Sequence, residues 1–266
     1  MSELDDDTAL TRGEDGAWHG AMTERWWIGE GPNGGYIAAF LIRAMLGEAQ
    51  QPDPLTMTTH YVARPSVGPV DVVVERLRAG RSHDFLHARL TQEGATVAVA
   101  TAAFGRLRDD APVSMQGTIP EPPDPEAALR MDGPSFPGMT FRDRFEFRVA
   151  AEADMPFGRE QPGPARVGGW MRLRDGRRLD ALAVPLFMDS WPPPMFATFL
   201  GGMAPTIELT VHWRNRPDPG ATWHLADFRS RFLMNGYTEE DGELWDQAGR
   251  LIAESRQLAR FAPPPA

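Results

Sequence analysis

Two distant stretches of this chain carry the same phrase, so the chain is expected to fold as two versions of one unit. Thr58-Thr59-His60-Tyr61-Val62-Ala63-Arg64-Pro65 matches Thr210-Val211-His212-Trp213-Arg214-Asn215-Arg216-Pro217, with Thr, His, an aromatic residue, Arg and Pro at equivalent places. The separation is 152 residues, far longer than a solenoid unit of roughly 20–50 residues, and marks a duplicated domain. The second copy of the phrase reads as a strand. Ile207, Leu209, Val211 and Trp213 fall on one face, and Thr206, Glu208, Thr210, His212 and Arg214 on the other.

The surroundings of the phrase show what was duplicated. In the first copy, Gly31-Pro32-Asn33-Gly34-Gly35 is a loop by its turn residues, and Asn33 is placed to cap a helix over 35–46 that stops at Gly47. That helix is apolar on nearly every face, so other structure must enclose it. Strand patterns follow at 55–63, 70–77, 81–92 and 96–104, with a hairpin turn at Gln92-Glu93-Gly94-Ala95. The second copy starts near Phe141, with strands at 145–149 and 165–173. An apolar segment at 181–188 takes the helix position, is interrupted by Pro185, and ends before Trp191-Pro192-Pro193-Pro194. Strands at 206–215, 222–233, 243–246 and 250–259 complete it. Gln247-Ala248-Gly249-Arg250-Leu251-Ile252-Ala253 echoes Gln92-Glu93-Gly94-Ala95-Thr96-Val97-Ala98. A helix wrapped by a curved antiparallel sheet, twice over, is an α+β architecture. The division is residues 1–107, a Pro-rich acidic linker over 108–140 that wraps the surface without a core, and residues 141–266. Residues 1–16 read as a frayed acidic lead-in followed by a short strand.

Composition removes several function classes. All 27 basic residues are Arg, which excludes Schiff-base lysine chemistry and the P-loop lysine. The absence of Cys excludes disulfides, a thiolate nucleophile and Cys-ligated metal. A formal net charge of −10 argues against sequence-independent nucleic-acid binding. The acidic N-terminus carries no signal-peptide pattern, and the longest apolar run, 36–46, is too short to span a bilayer and contains Arg43. A cytoplasmic location is the default expectation.

Gly31-Pro32-Asn33-Gly34-Gly35-Tyr36 before an apolar helix, and His60-Tyr61-Val62-Ala63-Arg64-Pro65, resemble the first half of the acyl-CoA thioesterase II (thioesterase-like) family. Met188-Asp189, Pro205-Thr206-Ile207-Glu208 and Ala253-Glu254-Ser255-Arg256-Gln257 are similar to the places where that family keeps its active-site Asp, Thr and Gln. The resemblance implies a double hotdog fold and hydrolysis of an acyl-CoA thioester, with Asp189, Thr206 and Gln257 holding the attacking water. By the residues alone, Asp189 is equally a helix-terminal carboxylate capping a turn, Thr206 a strand former and Gln257 a solvated strand residue. The first copy places Asn33, Pro54 and Ala102 opposite these three, so one water-activating site is expected, in the second copy.

Substrate contacts are expected from Asn33, Gly34 and Gly35, whose backbone N–H groups open a helix, and from arginines that could meet phosphate, Arg64 and Arg216 foremost, with Arg214 and Arg256. His83 and His87 lie about 13 Å apart along a strand at about 3.3 Å per residue, too far to share a metal. His60 and His212 repeat at equivalent places and read as structural. Neither a metal nor a cofactor is expected. The readings left open are a hotdog hydratase acting on an enoyl thioester, and a non-catalytic protein that binds acyl groups or small hydrophobes. Exposed sheet edges suggest a homodimer or higher homo-oligomer.

Overall fold

The apolar run after Asn33 forms helix α1, Gly34–Glu48, with Tyr36 through Ile42, Ala44 and Met45 all buried. Asn33 caps it, accepting from the Tyr36 N–H at 3.0 Å. Gly47 does not end this helix as the sequence suggests. It lies inside the last turn because the Trp18 ring packs there, 2.6 Å from where a Cβ would stand. The computed structural model describes residues 2–108, 115–118, 121, 123–131, 138–156, 158 and 160–264.

Around α1 run β1 (Trp18–Met22), β2 (Asp53–Tyr61), β3 (Gly68–Ala79), β4 (Asp84–Gln92) and β5 (Ala95–Gly105). The second repeat supplies β6 (Phe145–Val149), β7 (Arg166–Leu173), helix α2 (Val184–Met188), helix α3 (Met195–Phe199), β8 (Thr206–Trp213), β9 (His224–Arg229), β10 (Tyr237–Asp246) and β11 (Leu251–Arg260). Pro185 does not interrupt α2; it sits in its first turn, where the missing N–H has no intrahelical partner to lose.

All these strands belong to one antiparallel sheet of 14 strands, in which the named ones follow the order β1-β3-β4-β5-β2-β8-β11-β10-β9-β7-β6. Read outward from the centre, β2-β5-β4-β3-β1 on one side matches β8-β11-β10-β9-β7 on the other, with β6 beyond, so a pseudo-two-fold axis passes between β2 and β8. Thr58 and Thr210, the matched residues of the repeated phrase, face each other there with hydroxyls 2.8 Å apart. His60 and His212 lie exposed on either side of it, outside the core. The sheet curls around α1 and α2, which pack against each other in a core shared by both repeats.

The alternation read for β8 fails at its start. A β-bulge between Thr206 and Glu208 leaves Ile207 exposed and turns Thr206 to the inner face. An equivalent bulge lies between Pro54 and Thr56 in β2. Strand β10 is longer than its sequence signal because Glu239-Glu240-Asp241-Gly242 pairs with β11 throughout, and Asp241 and Gly242 pair with β9 as well. Arg231 and Arg256 neutralise Asp241, and Gly242 leaves room for the Phe228 ring.

Two segments read as coreless are packed. Residues Glu3–Asp7 form one helical turn with Leu4 fully buried, and Arg43, Arg144 and Arg177 pair with its acidic side chains. Within the Pro-rich segment, Ala128 joins Trp170, Trp223, Leu225 and Trp245 in a second, smaller apolar cluster. Pro123 and Glu126 there accept the indole N–H groups of Trp170 and Trp223. Much of the remainder of the linker expectation lies outside the described residues. Among the described residues, no helix is long and apolar enough to cross a membrane.

Candidate active site

Asp189 ends α2, and the packing of α2 against α1 carries its carboxylate onto the N-terminus of the opposite helix. Its Oδ2 accepts from the Gly35 N–H at 2.8 Å and from Asn33 Nδ2 at 2.9 Å. Asn33 also donates to the Asp189 carbonyl at 2.6 Å. The Gly34 N–H adds a further hydrogen bond. A carboxylate is favoured at a helix N-terminus by the unpaired N–H groups and the helix dipole. Burial opposes this more strongly, so the Asp189 carboxyl is pushed up to about 6. The residue as a whole is half-buried, and the carboxylate is its enclosed part.

The glycines make this approach possible. A Cβ on residue 35 would stand 2.5 Å from the Pro185 carbonyl oxygen and 2.6 Å from Leu186 Cα, so only Gly allows the two helices to touch. The sequence reading left the N–H groups of Gly34 and Gly35 open to substrate; Asp189 itself holds them.

Helix α2 lies over the inner face of β10 and β11. The bulge at Ile207 brings Thr206 Oγ1 within 3.3 Å of Gln257 Oε1, to which it donates. Gln257 is buried beside Ser255 and Ala253 rather than solvated. Opposite it on β10 stands Glu240, equally buried and hydrogen-bonded by Gln257. Burial pushes the Glu240 carboxyl well above the usual range, and the charge of Asp189 adds to the effect. Asp189 makes no direct hydrogen bond to Thr206 or Gln257 among the described residues; its charge acts on Glu240, which Gln257 hydrogen-bonds.

Glu240 was invisible in the sequence because it sits in an acidic run that reads as loop. Tyr61 was also missed as a site residue: its hydroxyl is buried without a partner beside Gly34. The register gives both a signal after the fact. Met57 pairs with Ala102 and Leu209 with Gln257, while Ala102 pairs with Leu86 and Gln257 with Glu240. The first-repeat equivalents of Thr206, Gln257 and Glu240 are therefore Pro54, Ala102 and Leu86. Only one side of the pseudo-two-fold carries this polar set.

Family models for acyl-CoA thioesterases match both halves of the chain, the N-terminal domain over residues 23–105 and the C-terminal domain over residues 118–261. The chain belongs to the acyl-CoA thioesterase family. This thioesterase is 28% identical to a solved structure from Thermobifida fusca assigned as a candidate thioesterase II, with a TM-score of 0.90 and 98% of each chain covered. It is 26% identical to a conserved hot dog fold protein from Alicyclobacillus acidocaldarius, at a TM-score of 0.89 over 100% of both chains. It is also 28% identical to the thioesterase-like protein TwmA of Talaromyces wortmannii, over 90% of this chain and 86% of TwmA. Fold and family together make the chain a double hotdog thioester hydrolase.

The four arginines expected to meet substrate are each paired with a carboxylate. Arg216 forms two bonds to Asp53, at 2.8 and 2.7 Å, near the end of β8 remote from Thr206. Arg64 pairs with Glu30, Arg214 with Glu254 and Arg256 with Asp241. Arg64 and Glu30 line a surface groove of about 610 Å³ that also takes in Trp27, Gln92 and Val97. The groove borders the loop that ends in Asn33, and Asp189, Thr206 and Gln257 are not among its lining.

Proposed function

We propose that the protein hydrolyses an acyl-CoA thioester to the free acid and coenzyme A, using a water held by Asp189, Thr206 and Gln257. The observation that carries this reading is a carboxylate raised to about 6 and fixed on a helix N-terminus, near enough for its charge to act on Glu240, the partner of Gln257. A base with a pKa just below neutrality is ionised at neutral pH and still accepts a proton readily. Asp189 takes a proton from the water while the water oxygen bonds to the thioester carbonyl carbon. The carbonyl electrons move to oxygen. The intermediate then collapses, the C–S bond breaks with its electron pair on sulfur, and the proton held by Asp189 passes to the thiolate. Gln257, oriented by Glu240, and Thr206 fix the direction of attack, which removes orientational freedom from the reacting pair. No covalent acyl-enzyme is required, in keeping with a chain that has no Cys.

The test is free-thiol release from acyl-CoAs of graded chain length by the parent protein and by Asp189→Asn and Gln257→Ala. Release that survives both substitutions sinks the assignment of these residues. Tight binding without release points to a binding protein. Addition of water to an enoyl-CoA points to a hydratase, a chemistry that would need a histidine partner for Asp189.

A further inference from the structure

The site described so far supplies a base and a held water, and it lacks a group for the charge that develops on the thioester oxygen. The N–H groups at the start of α1, which would ordinarily serve, are taken up by Asp189. Asn33 Nδ2 is spent on the same carboxylate. The Thr206 hydroxyl donates to Gln257, and Gln257 turns to Glu240.

One donor beside Asp189 is uncommitted. Tyr61 is the last residue of β2, and its hydroxyl is buried with no hydrogen-bond partner. A buried hydroxyl without a partner costs stability, so it calls for an explanation. The hydroxyl and Asp189 Oδ2 pack over the same face of Gly34, each 3.0 Å from where a Cβ on that residue would stand. They are close enough to share one small bound group, and they do not bond each other. The equivalent residue of the second repeat is Trp213, whose indole N–H is satisfied by the Ala181 carbonyl at 3.2 Å. The unsatisfied donor therefore occurs on the side of the pseudo-two-fold that carries Asp189.

We infer that the Tyr61 hydroxyl is a catalytic group of this site, donating a hydrogen bond to the thioester carbonyl oxygen and to the oxyanion it becomes. This rests on the hydrolytic reading of Asp189. Charge balances at the step: Asp189 is neutralised by the water proton as the carbonyl oxygen becomes negative, so the negative charge moves from the carboxylate to the carbonyl oxygen held by the phenol without any change in total. The phenol stays protonated throughout, since burial together with the charges of Asp189 and Glu208 pushes its ionisation well above the ordinary tyrosine value. Gly34 completes the arrangement, because a Cβ there would press on the Tyr61 ring and on the Asp189 carboxylate and push the two apart.

Tyr61→Phe removes one oxygen and nothing else. The expected result is a fall in kcat of about 10²- to 10³-fold, typical for one oxyanion donor, with KM within about threefold. Thermal stability should hold or rise, because no hydrogen bond within the protein is lost; a structural hydroxyl would lower it. The second readout is the carbonyl stretch of a bound acyl-CoA analogue with CH2 in place of sulfur, which should shift to lower frequency in the parent protein and less in Tyr61→Phe. A kcat within threefold of the parent, or the same stretch in both proteins, overturns the assignment. Asp189→Asn run in parallel separates the two failures. If it is inactive while Tyr61→Phe is active, Tyr61 alone is excluded; if both are active, the hydrolytic reading of Asp189 falls with it.

Discussion

Asp189→Asn should make the protein inactive and more stable, and the size of the second effect follows from the first. An unfolded aspartate titrates near 3.8, and burial in the folded chain moves Asp189 to about 6. Between those values the folded protein holds a proton that the unfolded chain has released, so stability falls as pH rises through this window. At 1.36 kcal/mol per unit, the penalty is about 3 kcal/mol at pH 7.5, of which about 1 kcal/mol has developed by pH 4.5. Asn carries no such penalty and keeps an oxygen to accept from the Gly35 N–H. The difference between the two proteins' unfolding free energies, measured in urea, should therefore grow by about 2 kcal/mol from pH 4.5 to pH 7.5. Titrating groups that do not feel the Asp189 charge are common to both proteins and cancel. The parent's kcat/KM should rise with pH through about 6 as Asp189 ionises, while Asp189→Asn should lose on the order of 10²- to 10⁴-fold in kcat. A stability difference that does not change with pH would refute the claim that Asp189 is a strained, buried carboxylate. A parent pH profile flat across pH 5–7 would refute its role as the base.

Other substitutions separate positioning from packing. Glu240→Leu, which installs the residue found at the equivalent Leu86, should leave the melting temperature intact while kcat falls on the order of 10²-fold through loss of Gln257 orientation; an unchanged kcat excludes that role. Gly35→Ala should destabilise by about 1–3 kcal/mol in urea unfolding, because the clash is with the α2 backbone. Gly34→Ala should instead cost turnover, since its Cβ would meet Tyr61 and Asp189. Equal stabilities for the two glycine variants would count against this division. Arg216→Met should cost about 1–3 kcal/mol by leaving the buried Asp53 carboxylate short of partners, with KM for thioester unchanged. A raised KM at unchanged stability would return Arg216 to substrate binding.

Much of this protein was legible in its sequence because duplication and periodicity are local, additive signals. The repeated phrase placed β2 and β8, and the apolar run placed α1. The turn residues placed Asn33 at the head of that helix, and the resemblance pointed to Asp189, Thr206 and Gln257. Other features depended on contacts between residues far apart in the chain, and here sequence periodicity misled. Thr206 was assigned to the outer face by alternation; a bulge of one residue, invisible to alternation, turned it inward toward Gln257. Glu240 was hidden in an acidic stretch that becomes a strand only when β11 pairs along it. Gly34 and Gly35 looked like open anion sites, and only the packing of α2 on α1 placed the Asp189 carboxylate there. The sequence by itself determined that one helix-and-sheet unit occurs twice, and its family resemblance pointed to Asp189 in the second. The tertiary structure decided which polar groups meet in the dry space between the helices and the sheet, because burial, register shifts and helix contacts set the protonation and direction of each group, and none of these is a property of a residue alone.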